Sequence, residues 1–129
     1  MMNWNGMLTV TPDDEGQERL VSVPIDEFCF FELVGKKMLG QTADATFLVP
    51  WNSIKVLQAL LSASCDHFER VDKASIVNVH RIAEIDWEWG ILYFGDATDK
   101  DRKRCLVAGA HASTLKQRLE RAQAGFKPI

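Results

Sequence analysis

One stretch constrains the rest of the chain most tightly: Phe68-Glu69-Arg70-Val71-Asp72-Lys73-Ala74-Ser75-Ile76-Val77-Asn78-Val79-His80-Arg81-Ile82-Ala83-Glu84-Ile85. Apolar residues flank a short polar connection, and Val77-Asn78-Val79 then interrupts the apolar run. Asparagine favours turns because its side-chain amide bonds nearby backbone. A strand is therefore expected to end near Val71, a tight turn to sit near Asn78, and another strand to start at Ile82. Residues before the stretch read as strands with one helix. Residues after it read as a hairpin, a strand and a closing helix.

In chain order, Met7–Thr11 alternates as a short strand, and Pro12–Gly16 is a polar turn. Leu20–Val23 is a second strand, stopped by Pro24. Ile25-Asp26-Glu27 suits a single helical turn, since proline is well placed at a helix start. Phe28–Leu33 is an apolar strand expected to be buried on both faces. Val34-Gly35-Lys36-Lys37 turns it into Met38–Thr42, and Ala43-Asp44-Ala45 turns again into Thr46–Val49. Asn52 or Ser53 caps a helix in which Ile54, Leu57 and Leu61 form one apolar stripe, fading by Ser62–Ser64. Glu84–Glu88 continues the strand that opens at Ile82. Trp89-Gly90 turns it into Ile91–Phe94, and Trp87 and Trp89 are expected to share a strand face. Gly95–Lys103 is a charged loop and Arg104–Ala108 the last strand. A terminal helix over Ser113–Ala124 ends at Gly125. The class expected is mainly β, with many short strands and two helices.

A length of 129 residues suits one domain with its own core. No run approaches the roughly 18 apolar residues of a membrane helix. The start, Met1-Met2-Asn3-Trp4-Asn5-Gly6, lacks the charged and apolar regions of a signal peptide, so a cytoplasmic location is expected. Cys29, Cys65 and Cys105 are isolated and odd in number, which argues against a disulfide framework or a CxxC metal knuckle. They read as structural thiols.

Enzyme signatures are absent: no GxSxG, P-loop, GxGxxG after a strand, or HExxH. His67 beside Cys65 and Asp66 is too few ligands for a metal site. Asp13-Asp14-Glu15 reads as a solvated turn, and His80 as a surface or turn residue. No catalytic residue, cofactor or metal is expected.

The net charge of −3 and pI near 5.6 weigh against nucleic-acid binding when taken alone. Their distribution matters more. Residues 1–32 hold seven acids and one base, whereas the remaining 97 hold 14 bases and 11 acids. A weakly basic body carries an acidic leading segment.

Three blocks of residues are similar to a known family. Phe68-x-Arg70-Val71-x-x-x-Ser75-Ile76-Val77-Asn78-x-x-x-Ile82-x-x-Ile85 resembles the signature of the LytTR DNA-binding domain. So do Val23-x-Ile25-Asp26-Glu27-Phe28-x-x-Phe31-Glu32 before it and Leu106-Val107 with Leu115-Lys116-x-x-Leu119 after it. The order and spacing of the blocks fit, over roughly residues 18–121. The resemblance implies an elongated, mainly antiparallel β fold with two short helices. It divides the chain into an N-terminal strand and acidic turn (1–17), the DNA-binding domain (18–124) and a C-terminal tail (125–129). It implies a bacterial transcription regulator that binds double-stranded DNA at promoter repeats through loops in successive major grooves. Two copies are expected to pair on that DNA. No receiver domain precedes residue 18, so a stand-alone version is expected.

Carried over loop by loop, the first contact region matches Gly35-Lys36-Lys37-Met38, where Lys36 and Lys37 can reach phosphates or guanine edges. The second matches Asp72-Lys73-Ala74, with Lys73 as the reader and Asp72 weakening it. Arg70 is expected to hold its strand through its stem and neighbouring acids. The third region departs from the family. Where members often carry Ser-Arg-Arg, this chain has Ala108-Gly109-Ala110-His111, leaving His111 as the shorter substitute. Lys100, Arg102, Lys103 and Arg104 lie just upstream and can supply phosphate contacts instead, or form a loop balanced by its own aspartates. Asn78 is assigned to turn structure. A sequence-specific DNA-binding regulator is the leading expectation. The alternative is a protein- or ligand-binding module on the same fold, favoured by the acidic start and by Gly109-Ala110 in place of arginines.

Overall fold

A computed structural model describes residues 6–13, 19–122 and 127–128. The chain builds strands β1 (Met7–Pro12), β2 (Val21–Pro24), β3 (Phe28–Val34), β4 (Lys37–Thr42) and β5 (Thr46–Val49) before helix α1 (Ile54–Ser64). Then come β6 (Phe68–Asp72), β7 (Ser75–Asn78), β8 (Ile82–Asp86), β9 (Ile91–Phe94) and β10 (Arg104–Leu106). Helix α2 (Gly109–Ala122) and the two-residue β11 (Lys127–Pro128) close it. Single 3-10 turns at Ile25–Glu27 and Val79–Arg81 precede β3 and β8. Seven strands form one sheet in the order β2-β1-β5-β4-β3-β7-β6, and four form a second in the order β10-β9-β8-β11. Every pairing is antiparallel except β11 with β8. The fold is thus mainly antiparallel β with two helices, as expected.

The β3 strand divides the interior. Phe28 and Phe31 face one core with Met38, Ile76 and the α1 stripe of Ile54, Leu57 and Leu61. Cys29 and Phe30 face the other, with Val71, Val77, Ile85, Leu92 and Leu115 and Leu119 of α2. Strict alternation would not place Cys29 and Phe30 together. A register irregularity between Phe28 and Phe30 adds the extra residue that does so. Gly40 lies opposite Phe31, and a Cβ there would stand 2.6 Å from Phe28 Cε1, so only glycine admits the ring. Truncating Leu57 or Leu61, both essentially solvent-free, is expected to cost about 2–5 kcal/mol. All three cysteines are free, and burial pushes the Cys105 thiol up to about 12, consistent with an inert core group.

Several local expectations are refined. Ser53, rather than Asn52, caps α1: its hydroxyl accepts the Val56 N–H. Asn78 is buried and structural. Its Oδ1 accepts the His80 N–H and its Nδ2 donates to the Phe28 carbonyl, tying the 3-10 turn to β3. Ser75–Asn78 is a full strand where a connection was expected, and the turn expected near Asn78 follows it at Val79–Arg81. The last strand stops at Leu106, and α2 begins at Gly109, one turn before Ser113. Trp87 and Trp89 do not share a strand face, because β8 ends at Asp86 and both lie in the turn beyond it. Trp87 packs against the second core, and Trp89 is 73% exposed. β1 sits inside the larger sheet between β2 and β5, so the N-terminal strand is integral to it. Lys127–Pro128, expected in a tail, pairs with Glu84–Ile85. Most of the expected turn at 12–16 and the expected helix end at Gly125 lie outside the described residues.

Candidate nucleic-acid interface

The β3–β4 hairpin closes on a two-residue turn, Gly35-Lys36, in which Gly35 adopts φ +62°. A two-residue turn matching the strands' twist needs a positive φ at its first central position, which favours glycine there. Lys36 and Lys37 therefore stand at the tip, both exposed. The β6–β7 hairpin ends at Lys73-Ala74 beside it. The Leu33 N–H donates to the Ala74 carbonyl at 2.8 Å, continuing the β3–β7 ladder to the tips. The Ala108 N–H donates to the Val71 carbonyl at 2.8 Å, which brings the start of α2 to the same hairpin. Two backbone bonds thus gather Lys36, Lys37, Lys73 and the Gly109-Ala110-His111 turn at one end of the larger sheet.

The second tip is held from within. Arg70 Nε donates to the Asp72 carbonyl at 3.1 Å and Nη2 to the Lys73 carbonyl at 2.7 Å, while Asp72 Oδ1 accepts the Lys73 N–H at 2.6 Å. Arg70 thus acts on tip carbonyls, not on neighbouring acids as expected, and its charge stays at the loop. Asp72, expected to repel phosphate, is turned onto its own backbone. No side-chain partner engages the Lys36, Lys37 or Lys73 ammonium groups among the described residues.

The charged loop behaves differently. Arg102 Nη1 is ion-paired with Glu84 Oε1, and its guanidinium lies 4.3 Å from the Tyr93 ring centroid. Lys103 Nζ donates to Gln41 Oε1 at 2.6 Å, to the Ala45 carbonyl and to Thr46 Oγ1 at 3.4 Å. Burial pushes its ammonium below the usual lysine range. These contacts hold Lys103 against the β4–β5 turn, about 13 Å along β4 from Lys37. Arg102 and Lys103, expected to supply phosphate contacts, are thus both engaged by groups of the fold. Lys100 and Arg104 are exposed. The loop's aspartates serve its own turns. Asp96 Oδ1 accepts from the Thr98 N–H and hydroxyl, bonds that lower its carboxyl, and Asp99 Oδ1 accepts the Asp101 N–H.

His111 is half-buried in the first turn of α2, its N–H donating to the Ala108 carbonyl. No arginine stands at this junction. It offers instead the Gly109 and Ala110 amides at the start of a helix, with free space around Gly109. His67 takes no part in a metal cluster with Cys65. Its Nε2 lies 2.6 Å from Asp26 Oδ1 and its ring stacks on His80, centroids 4.6 Å apart. Among the described residues no group of three or more His, Cys, Asp and Glu side chains could hold a metal ion, and no helix is long and apolar enough to cross a membrane.

The chain is thus a mainly antiparallel β domain that gathers three exposed lysines on two adjacent hairpin tips. The family model described as the LytTr DNA-binding domain matches residues 18–120. The chain belongs to the LytTR DNA-binding domain family. Its fold is similar to the LytTr DNA-binding domain of a protein described as a putative methyl-accepting/DNA response regulator from Bacillus cereus. The TM-score is 0.69 at 20% identity, over 90% of this chain and 98% of that one. No curated protein matches the chain.

Proposed function

We propose that this protein is a sequence-specific transcription regulator that reads promoter DNA through its clustered loops. Lys36 and Lys37 enter one major groove, Lys73 contacts the adjoining backbone, and the start of α2 approaches a phosphate with the Gly109 and Ala110 amides. Lys100 and Arg104 add peripheral phosphate contacts. The observation that carries the reading is the pair of backbone bonds, Leu33 to Ala74 and Ala108 to Val71, that gather three separate loops. Membership of a DNA-binding family supports the partner class. Two copies would bind repeats spaced by the helical turn of the duplex.

The test is selection of duplexes from a random pool by the purified chain, followed by mobility shifts at several salt concentrations. A discrete complex that weakens linearly in log–log with salt is expected. Absence of any enriched sequence or discrete complex at low salt would instead favour a protein- or ligand-binding module on this fold.

A further inference from the structure

We infer that Val34 is a specificity-determining residue that reads the methyl group of a thymine in the major groove. The inference rests on the proposed DNA-binding function and extends it to a base. Val34 is 51% exposed although β-branched and apolar. The other large hydrophobic side chains exposed among the described residues are Leu20, Val56, Trp89 and Leu106, none of them on the β3–β4 or β6–β7 hairpin. Val34 ends β3 immediately before the Gly35-Lys36 turn. In the hairpin register it lies directly opposite Lys37, so the two share a face. Alternation from Phe30 puts that face on the side of the second core and α2, where the start of α2 meets the neighbouring hairpin.

The chemistry of the tip divides between these side chains. Lys36 and Lys37 carry compact charges on flexible stems, which suits phosphate attraction and discriminates bases poorly. Valine is stiff, because two heavy atoms on Cβ restrict χ1. In the major groove, thymine differs from the other bases in presenting a C5-methyl group, and a small apolar side chain is its natural contact. A rigid branched methyl pair held beside two cations by a two-residue turn therefore supplies the discrimination that the lysines lack.

The experiment uses the full chain and a duplex it has enriched from a random pool. Each thymidine is replaced in turn by deoxyuridine, which removes only the methyl. Wild type, Val34→Ala and Val34→Thr are compared, with melting temperatures confirming that all three fold. One deoxyuridine position per bound repeat is expected to weaken wild-type binding about fourfold, as loss of one buried methyl would. Val34→Ala should weaken binding to the thymidine duplex by a similar factor and lose nothing more at that position, with Val34→Thr in between. If the two losses multiply at every position, or Val34→Ala binds like wild type, the inference is overturned while DNA binding stands. If wild type yields no discrete complex with any enriched duplex, the DNA-binding reading falls and takes the inference with it.

Discussion

The hairpin tips and the Gly95–Lys103 loop look alike as sequence, each a polar segment rich in lysine or arginine, yet the fold gives their charges opposite fates. At the tips, Lys36, Lys37 and Lys73 stay exposed, and internal bonds hold the backbone around them: Arg70 on two carbonyls, Asp72 on an N–H. In the charged loop the cations themselves are the fastenings. Arg102 closes on Glu84 and Tyr93, and Lys103 pins the loop to the β4–β5 turn. At the tips the fold satisfies the backbone by other means and leaves the lysine charges unspent; in the loop it spends the charges on itself.

The sharpest way to break that contrast is to remove the charges at the tips. Lys36→Ala with Lys37→Ala is expected to weaken DNA binding at least tenfold near 0.1 M salt, about 1.4 kcal/mol or more. The slope of log affinity against log salt should fall by about 2, roughly one per lost phosphate contact. The melting temperature should stay unchanged, because neither ammonium has a side-chain partner among the described residues. A loss of affinity without a change in salt slope would mean that these lysines do not meet phosphates.

The reciprocal experiment is Lys103→Met. It keeps the aliphatic stem but leaves the acceptors on Gln41, Ala45 and Thr46 without their donor. Burial already disfavours this ammonium, which offsets part of the bond strength. A stability loss of about 1–1.5 kcal/mol by denaturant titration is expected, with DNA affinity changed less than twofold. A large loss of affinity at unchanged stability would move Lys103 back into the interface.

The features legible in the sequence are those whose signals are local. Hairpins, the α1 stripe and the Asn78 turn depend on neighbours within a few residues, and the sequence shows them. β7 is hidden because Ser75-Ile76-Val77-Asn78 is short and lies between two turn signals. Burial on both faces, with Ile76 in one core and Val77 in the other, shows no alternation of apolar and polar residues. The early start of α2 is hidden because Gly109 opens it, and glycine ordinarily argues for an end or a turn. The tip lysines could be nominated from the family resemblance. The fate of Lys103 could not, since its partners lie 57 to 62 residues away in the chain. Arg70 belongs to the family signature, but its role depends on the carbonyl geometry of the turn.

Arg70 tests whether tip order matters as much as tip charge. Arg70→Ala removes two charge-assisted bonds and a nearby cation, and about a fivefold loss of affinity is expected. Arg70→Lys keeps the charge but not the fork that reaches both carbonyls, so it should recover only part of that loss in the same mobility shifts. Full recovery by lysine would make the role electrostatic; no recovery would make it wholly one of positioning.

The smallest effect belongs to the two exposed cations that remain near the charged loop. Lys100 and Arg104 have no side-chain partner among the described residues, so they resemble the tip lysines in freedom but not in place. Arg104 opens β10 on the smaller sheet, and Lys100 lies in the loop before it. If position governs contribution, Lys100→Ala with Arg104→Ala should weaken binding only about twofold, and equally for enriched and unrelated duplexes, as peripheral phosphate contacts do. Mobility shifts on both kinds of duplex would check it. A loss as large as that from Lys36 and Lys37, or one confined to the enriched sequence, would extend the interface across the second sheet and erase the distinction between the two regions.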